Sequence, residues 1–64
     1  MVGLRERNRR NAMRLTQRTA LALFVERGFT RVTISDIAEA VGMAPSTIYR
    51  HFVTKEAIVL WDEH

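Results

Sequence analysis

Between Thr33 and Phe52 the chain reads TISDIAEAVGMAPSTIYRHF, and its apolar positions change phase once, at a glycine. In the first half Ile34, Ile37, Ala38 and Val41 fall at i, i+3, i+4 and i+7, one face of a helix. Thr33 is placed to cap that helix, and Asp36, three residues on, can return a bond to the Thr33 backbone. Val32, just before the cap, is positioned to staple onto Ile37. Gly42 supplies the positive φ that stops the helix. Pro45 then stands where a new helix starts, because the first turn makes no use of its missing N–H. Ala44 before it is a poor cap, forfeiting roughly 1 kcal/mol relative to serine. The second helix, about 45–52, turns Ile48 and Phe52 inward and leaves Ser46, Thr47, Tyr49 and Arg50 outside.

The same reading places a helix on either side. A first helix is predicted from about Arg7 to Arg27, with Met13, Ala20, Leu21 and Phe24 as its buried stripe and Thr16 and Gln17 as a polar interruption. Gly28 follows as a left-handed cap, and Phe29 can fold back onto Phe24. A fourth helix begins after Thr54, with Val53 and Ile58 spaced for another staple. Its run Ile58-Val59-Leu60-Trp61 covers too much of the circumference for an exposed surface helix. The chain then stops at Asp62-Glu63-His64 without a glycine or proline cap, so a piece of a longer protein is expected. The fold class is all-α: a three-helix helix-turn-helix (homeodomain-like) bundle plus the start of a fourth helix. Two short helices about a glycine turn, the second with a polar, basic outer face, have the shape that enters a DNA major groove.

Charge sharpens that picture. The 64 residues carry a formal net charge of +3, unevenly placed. Residues 1–18 hold six arginines against one acid, while the remainder is slightly acidic. A basic leading segment suggests a polyanion-binding arm over about residues 1–12, with a solvated helix end as the plainer alternative. Nine of the ten basic residues are arginine, which favours forked contacts to phosphate over point charges. There is no cysteine, hence no disulfide framework and no thiolate metal site. No apolar run is long enough to span a bilayer, and the Arg-rich start lacks the apolar segment of a secretory signal. A cytoplasmic protein is expected.

Gly28-Phe29, TISDIAEAVG, APSTIYRHF and TKEAI together resemble the N-terminal DNA-binding domain of the TetR family of bacterial transcriptional regulators. The resemblance covers about Arg14 to Ile58, and the Tyr49-His51-Phe52 cluster followed by Thr54-Lys55-Glu56 is its most specific part. The chain departs from the family at Thr16 and Gln17, where apolar residues are usual, and at Ala44, where a serine cap is common. The resemblance implies a second, larger helical domain, absent here, that binds a small effector and forms the dimer. It also implies repression, with bound protein occluding a promoter and ligand releasing it. The helix after Thr54, about 55–64, would link the two domains.

On this reading the partner is double-stranded DNA, as a palindromic operator for the full-length dimer, with no cofactor and no metal. Ser46 and Thr47 lie in the first turn of the second helix of the motif, the end that meets base edges. Their hydroxyls donate or accept, and Pro45 and the Thr47 methyl can touch a thymine methyl. Arg50, one turn on, is the candidate for a forked contact to guanine, with a phosphate contact or a surface ion pair as the alternatives. Tyr49 and His51 resemble family positions that bind phosphate; the plainer readings are a half-buried ring sealing the helix edge for Tyr49, compatible with phosphate binding, and a surface or partly packed ring for His51. Lys55, at the start of the fourth helix, matches a phosphate clamp seen across the family, and Thr33 and Ser35 match the same role at the start of the second helix. Ser35 is also placed to reach a base, and capping alone is the plainer reading of Thr33. The arm arginines Arg5, Arg7, Arg9 and Arg10 can follow the backbone or enter an adjacent minor groove. The chain by itself is expected to be a monomer that binds a half-site weakly.

Other classes fit less well. An enzyme lacks its parts: His51 and His64 are far apart in sequence, and there is no H-E-x-x-H, no Gly-rich phosphate loop and no paired carboxylate. A membrane-surface or partner-binding helical module would use the basic first helix or the apolar fourth. The first helix is interrupted by Thr16 and Gln17, and no membrane partner is expected. Another three-helix DNA reader, such as a recombinase domain, does not account for the helix entered through Phe52-Val53-Thr54-Lys55.

Overall fold

In the computed structural model, residues 3–62 are described; Met1, Val2, Glu63 and His64 lie outside them. Four helices follow one another: α1 (Leu4–Arg27), α2 (Ile34–Val41), α3 (Pro45–His51) and α4 (Lys55–Leu60), with a single 3-10 turn over Phe29–Arg31 between α1 and α2. Helix α1 has 24 residues, so it runs about 36 Å and sets the long dimension of a 39 × 23 × 17 Å body.

The helix ends follow the local chemistry. Thr33 Oγ1 accepts the Asp36 N–H at 3.0 Å, and the Asp36 carboxylate accepts the Thr33 N–H at 3.0 Å, the reciprocal box expected from the sequence. Gly42 is left-handed, at φ 74° and ψ 32°. A Cβ there would meet nothing within 4 Å, so the backbone angle and not crowding calls for glycine. Ala44 makes no side-chain cap, as expected. Thr54 caps α4 by accepting the Ala57 N–H at 3.1 Å.

Gly28 differs from expectation. Its φ is positive at 95°, but ψ is 142°, far from a left-handed helical cap. Its N–H still donates to the Phe24 carbonyl at 2.9 Å while the chain swings out extended. That swing carries Phe29 back over Phe24, with ring centroids 4.8 Å apart. The glycine serves the aromatic contact, and a conformation open almost only to glycine is the cost.

Helix α1 starts three residues before the predicted Arg7. Leu, Arg and Glu are strong helix formers, and Glu6 lies in the favourable first turn, so the basic arm is helical from Leu4. Periodicity missed this because residues 3–11 are exposed all round.

The core gathers Met13, Ala20, Val32, Ile34, Ile37, Ala38, Ile48, Phe52 and Ile58, with Leu23, Phe24, Val41, Met43, Ala57 and Trp61 packed against it. Both partners of the first staple, Val32 and Ile37, are fully buried. The second staple does not form, since Val53 is 79% exposed. Leu21 is likewise at the surface, and the α1 stripe runs instead through Met13, Thr16, Ala20 and Leu23.

Thr16 and Gln17 are fastenings and not an interruption. Thr16 is 1% exposed, and its hydroxyl donates to the Ala12 carbonyl one turn back at 2.8 Å. That bond lets a polar side chain sit in the core at little cost. Gln17 Nε2 donates to the carbonyls of Ile58 at 3.0 Å and Trp61 at 2.8 Å at the end of α4, the first of which also accepts the Trp61 N–H at 3.4 Å. Helix α4 ends at Leu60; of the predicted 55–64, Trp61 and Asp62 are not helical and Glu63 and His64 lie outside the described residues, and Trp61 is extended, its ring edge-on to Phe52 at 6.1 Å.

Candidate nucleic-acid interface

Helix α3 has two unlike sides. Ile48 and Phe52 are almost wholly buried, which fixes its rotation about its own axis. Pro45, Ser46 and Arg50 are exposed, Thr47 and His51 are half-buried, and Tyr49 is 53% exposed. The side chains expected at base edges, Ser46, Thr47 and Arg50, therefore share the outward side. The packing that turns Ile48 inward is what presents these groups, so the core and the outward face are one decision.

The starts of α2 and α4 add hydroxyls. Thr33 and Thr54 each accept a capping N–H, which leaves the hydroxyl hydrogen to donate elsewhere. Capping and phosphate binding by Thr33 are thus compatible. Ser35 is exposed on the first turn of α2.

Lys55 is engaged within the molecule. Its ammonium donates to the Phe29 carbonyl at 2.7 Å and stands 4.4 Å from the centre of the Phe29 ring. These contacts tie the start of α4 to the corner after α1. A phosphate reaching Lys55 has to share or displace them, a condition the sequence did not reveal because the partner is 26 residues away.

His51 is the titrating group of this surface. Burial, and then the charges of Arg9 and Arg50, hold its imidazole below the usual histidine range. Asp36 is likewise held low, by the Thr33 backbone N–H first, then the Thr33 side chain, with Arg27 nearby. Arg7 and Arg10 lie with Asn11 and Arg14 along a separate groove of about 280 Å³. The four arm arginines thus fall on different sides of one helix.

Among the described residues no group of three or more His, Cys, Asp or Glu side chains could hold a metal, and no helix is long and apolar enough to cross a membrane. His64, the second histidine, falls outside the described residues. An open groove of about 670 Å³ between α1 and α4, bordered by Gln17, Leu21, Leu60 and Trp61, is the surface that the alternative docking module would use.

The sequence pattern of the bacterial regulatory proteins of the tetR family matches residues 18–60. The transcriptional regulator TcmR of Streptomyces glaucescens is 43% identical over 58 residues, which are 91% of this chain and 26% of TcmR. The transcriptional repressor KstR2 of Rhodococcus jostii is 45% identical over 40 residues, 62% of this chain and 20% of that protein. The putative mycofactocin biosynthesis regulator MftR of Mycobacterium tuberculosis is 46% identical over 39 residues, 61% of this chain and 20% of its own length. The chain thus spans about a quarter or less of the length of these relatives. No solved structure gives a significant match.

Proposed function

The chain belongs to the TetR family of bacterial regulatory proteins, and from that premise we propose that it is the double-stranded-DNA-binding part of a transcriptional regulator, with α3 in the major groove. The observation that carries this reading is the division of α3: two buried anchors fix its rotation, and the opposite side holds hydroxyls and a guanidinium. Ser46 and Thr47 meet base edges, Pro45 and the Thr47 methyl touch thymine, and Arg50 forks onto guanine at about 1–3 kcal/mol of discrimination. Tyr49 and His51 hold phosphate beside them. Thr33 and Ser35 hold it at the start of α2, and Lys55 with the Thr54 cap at the start of α4.

Repression is the mode proposed, supported by the relative KstR2, which is named a repressor. The longer protein would dimerise and bind an effector outside this chain. Its operator would be a palindrome with half-sites one turn, about 34–36 Å, apart. The chain alone would be a monomer on a half-site.

A heteronuclear NMR titration with a mixed-sequence duplex at low and moderate salt tests this reading. Shifts are expected at Ser35, Ser46 to His51 and Lys55, fading as salt rises. Shifts confined to Ile58 through Trp61 would make α4 the working surface and overturn the reading.

A further inference from the structure

The chain has no cysteine, so its sulfur lies in three methionines alone. Met1 falls outside the described residues and Met13 is buried in the core, while Met43 is half-buried against that core, in the turn between α2 and α3. The Met43 backbone completes the end of α2: its N–H donates to the Ala38 carbonyl at 2.9 Å, beside the Gly42 N–H, which donates to the Glu39 carbonyl at 3.3 Å. In such a closure the residue after the left-handed glycine frequently folds an apolar side chain back onto the helix it ends. Here the side chain also reaches α1, where Sδ lies 4.0 Å from the Thr16 hydroxyl oxygen. Thr16 is buried, and its hydroxyl hydrogen is held by the Ala12 carbonyl at 2.8 Å. The thioether is thus a sulfur within reach of solvent whose inner side rests on a buried polar group. Pro45 opens α3 two residues later, so this seat carries the end of α3 that presents Ser46 and Thr47.

We propose that Met43 is a modification site, oxidised at Sδ by a peroxide, and that its sulfoxide unseats the turn that carries α3. In this step the peroxide O–O bond breaks and an S–O bond forms. The thioether loses two electrons, and the peroxide gives up one oxygen atom and leaves as water. A flexible apolar side chain becomes a polar one with a strong acceptor. An oxygen on the inner side of the sulfur faces the Thr16 hydroxyl, which must leave the Ala12 carbonyl to donate to it. An oxygen directed to solvent draws the side chain off the core instead. Either way the turn loses packing against α1, and α3 is left with Ile48 and Phe52 as its buried anchors. Reduction of the sulfoxide restores the thioether, so the change is reversible. The consequence for DNA rests on the proposed reading of α3; the oxidation and its effect on packing do not.

Trypsin cuts this chain after Arg31 and Arg50, so Met43 falls in a peptide without Met1 or Met13, and mass spectrometry follows its oxidation separately. The chain is treated with dilute hydrogen peroxide alongside Met43→Leu, which keeps the volume and removes the sulfur. Met43 is expected to gain its oxygen before Met13. The oxidised wild type is expected to melt about 4–8 °C lower and to bind a mixed-sequence duplex several-fold more weakly by fluorescence anisotropy. Met43→Leu is expected to keep both properties through the same treatment. Methionine sulfoxide reductases A and B with a dithiol are expected to return both to the oxidised wild type; if Met43→Leu does not fold, this repair decides alone. Oxidation of Met13 first, an equal loss in Met43→Leu, or a fully oxidised Met43 with unchanged melting overturns the site. Unchanged affinity in an oxidised chain that binds DNA overturns the unseating of α3. A wild type that does not bind the duplex before treatment overturns the DNA reading, and the melting temperature still judges Met43.

Discussion

Among the described residues, His51 and Asp36 both titrate below their usual values, and both shifts act on stability in the same direction. His51 titrates below its usual value of 6.5, through burial and then Arg9 and Arg50. The unfolded chain therefore binds that proton more readily, and stability falls as pH drops below 6.5 through the folded value. Asp36 is held low by its bonds to Thr33, so its contribution is present above the usual carboxylate range and is lost as pH falls through the lowered value. On the proposed DNA reading the sign at His51 reverses: a phosphate held there would favour the imidazolium, so binding would take up a proton. Affinity is expected to rise as pH falls from 8 to 5.5 in the wild type, and to rise less in His51→Gln. Equal pH dependence in the two proteins would remove His51 from the phosphate contacts.

The fastening of α4 belongs to the scale of elements. Six residues are too few for a helix to stand alone, and α4 is secured at both ends by side chains from elsewhere. Lys55 ties its start to the Phe29 carbonyl, and Gln17 occupies the carbonyls at its end. Gln17→Ala is expected to cost about 1–2 kcal/mol, the range for deleting one partner of part-buried hydrogen bonds. Urea unfolding measures it, with the exposed neighbour Arg18→Ala as the comparison, expected within about 0.5 kcal/mol of wild type. Amide exchange in α4 is expected to quicken in Gln17→Ala more than in α2. A Gln17→Ala protein as stable as Arg18→Ala would mean that solvent serves these carbonyls equally well.

For the whole molecule, size is the constraint. A domain of 64 residues has roughly 3–10 kcal/mol of stability at typical values per residue. Ile48 is 1% exposed and holds α3 in the rotation that presents Arg50. Ile48→Ala is expected to cost about 2–5 kcal/mol, a large share of the total, so melting temperature and DNA binding fall together. Val25, 89% exposed, is the comparison, and Val25→Ala is expected to melt and bind as the wild type does. Preserved DNA binding in a folded Ile48→Ala protein would show that α3 is oriented by something other than this anchor.

Local signals alone determined the four helices, the Thr33–Asp36 box, the turn at Gly42, the proline start of α3 and the inward Ile48 and Phe52. Each depends on residues within about four positions of one another, the range over which helix periodicity and capping operate. The outward residues of α3 were legible for the same reason, since the inward side of a helix fixes the outward one. Tertiary structure decided what depends on residues distant in the chain. Leu21 and Val53 are apolar at helical spacing yet lie outside the core, 39% and 79% exposed. Thr16 and Gln17 are polar yet central, because their partners are a carbonyl one turn back and the end of a helix more than 40 residues away. The tie from Lys55 to the Phe29 carbonyl has the same origin, since its partner is 26 residues away and sequence spacing carries no record of it.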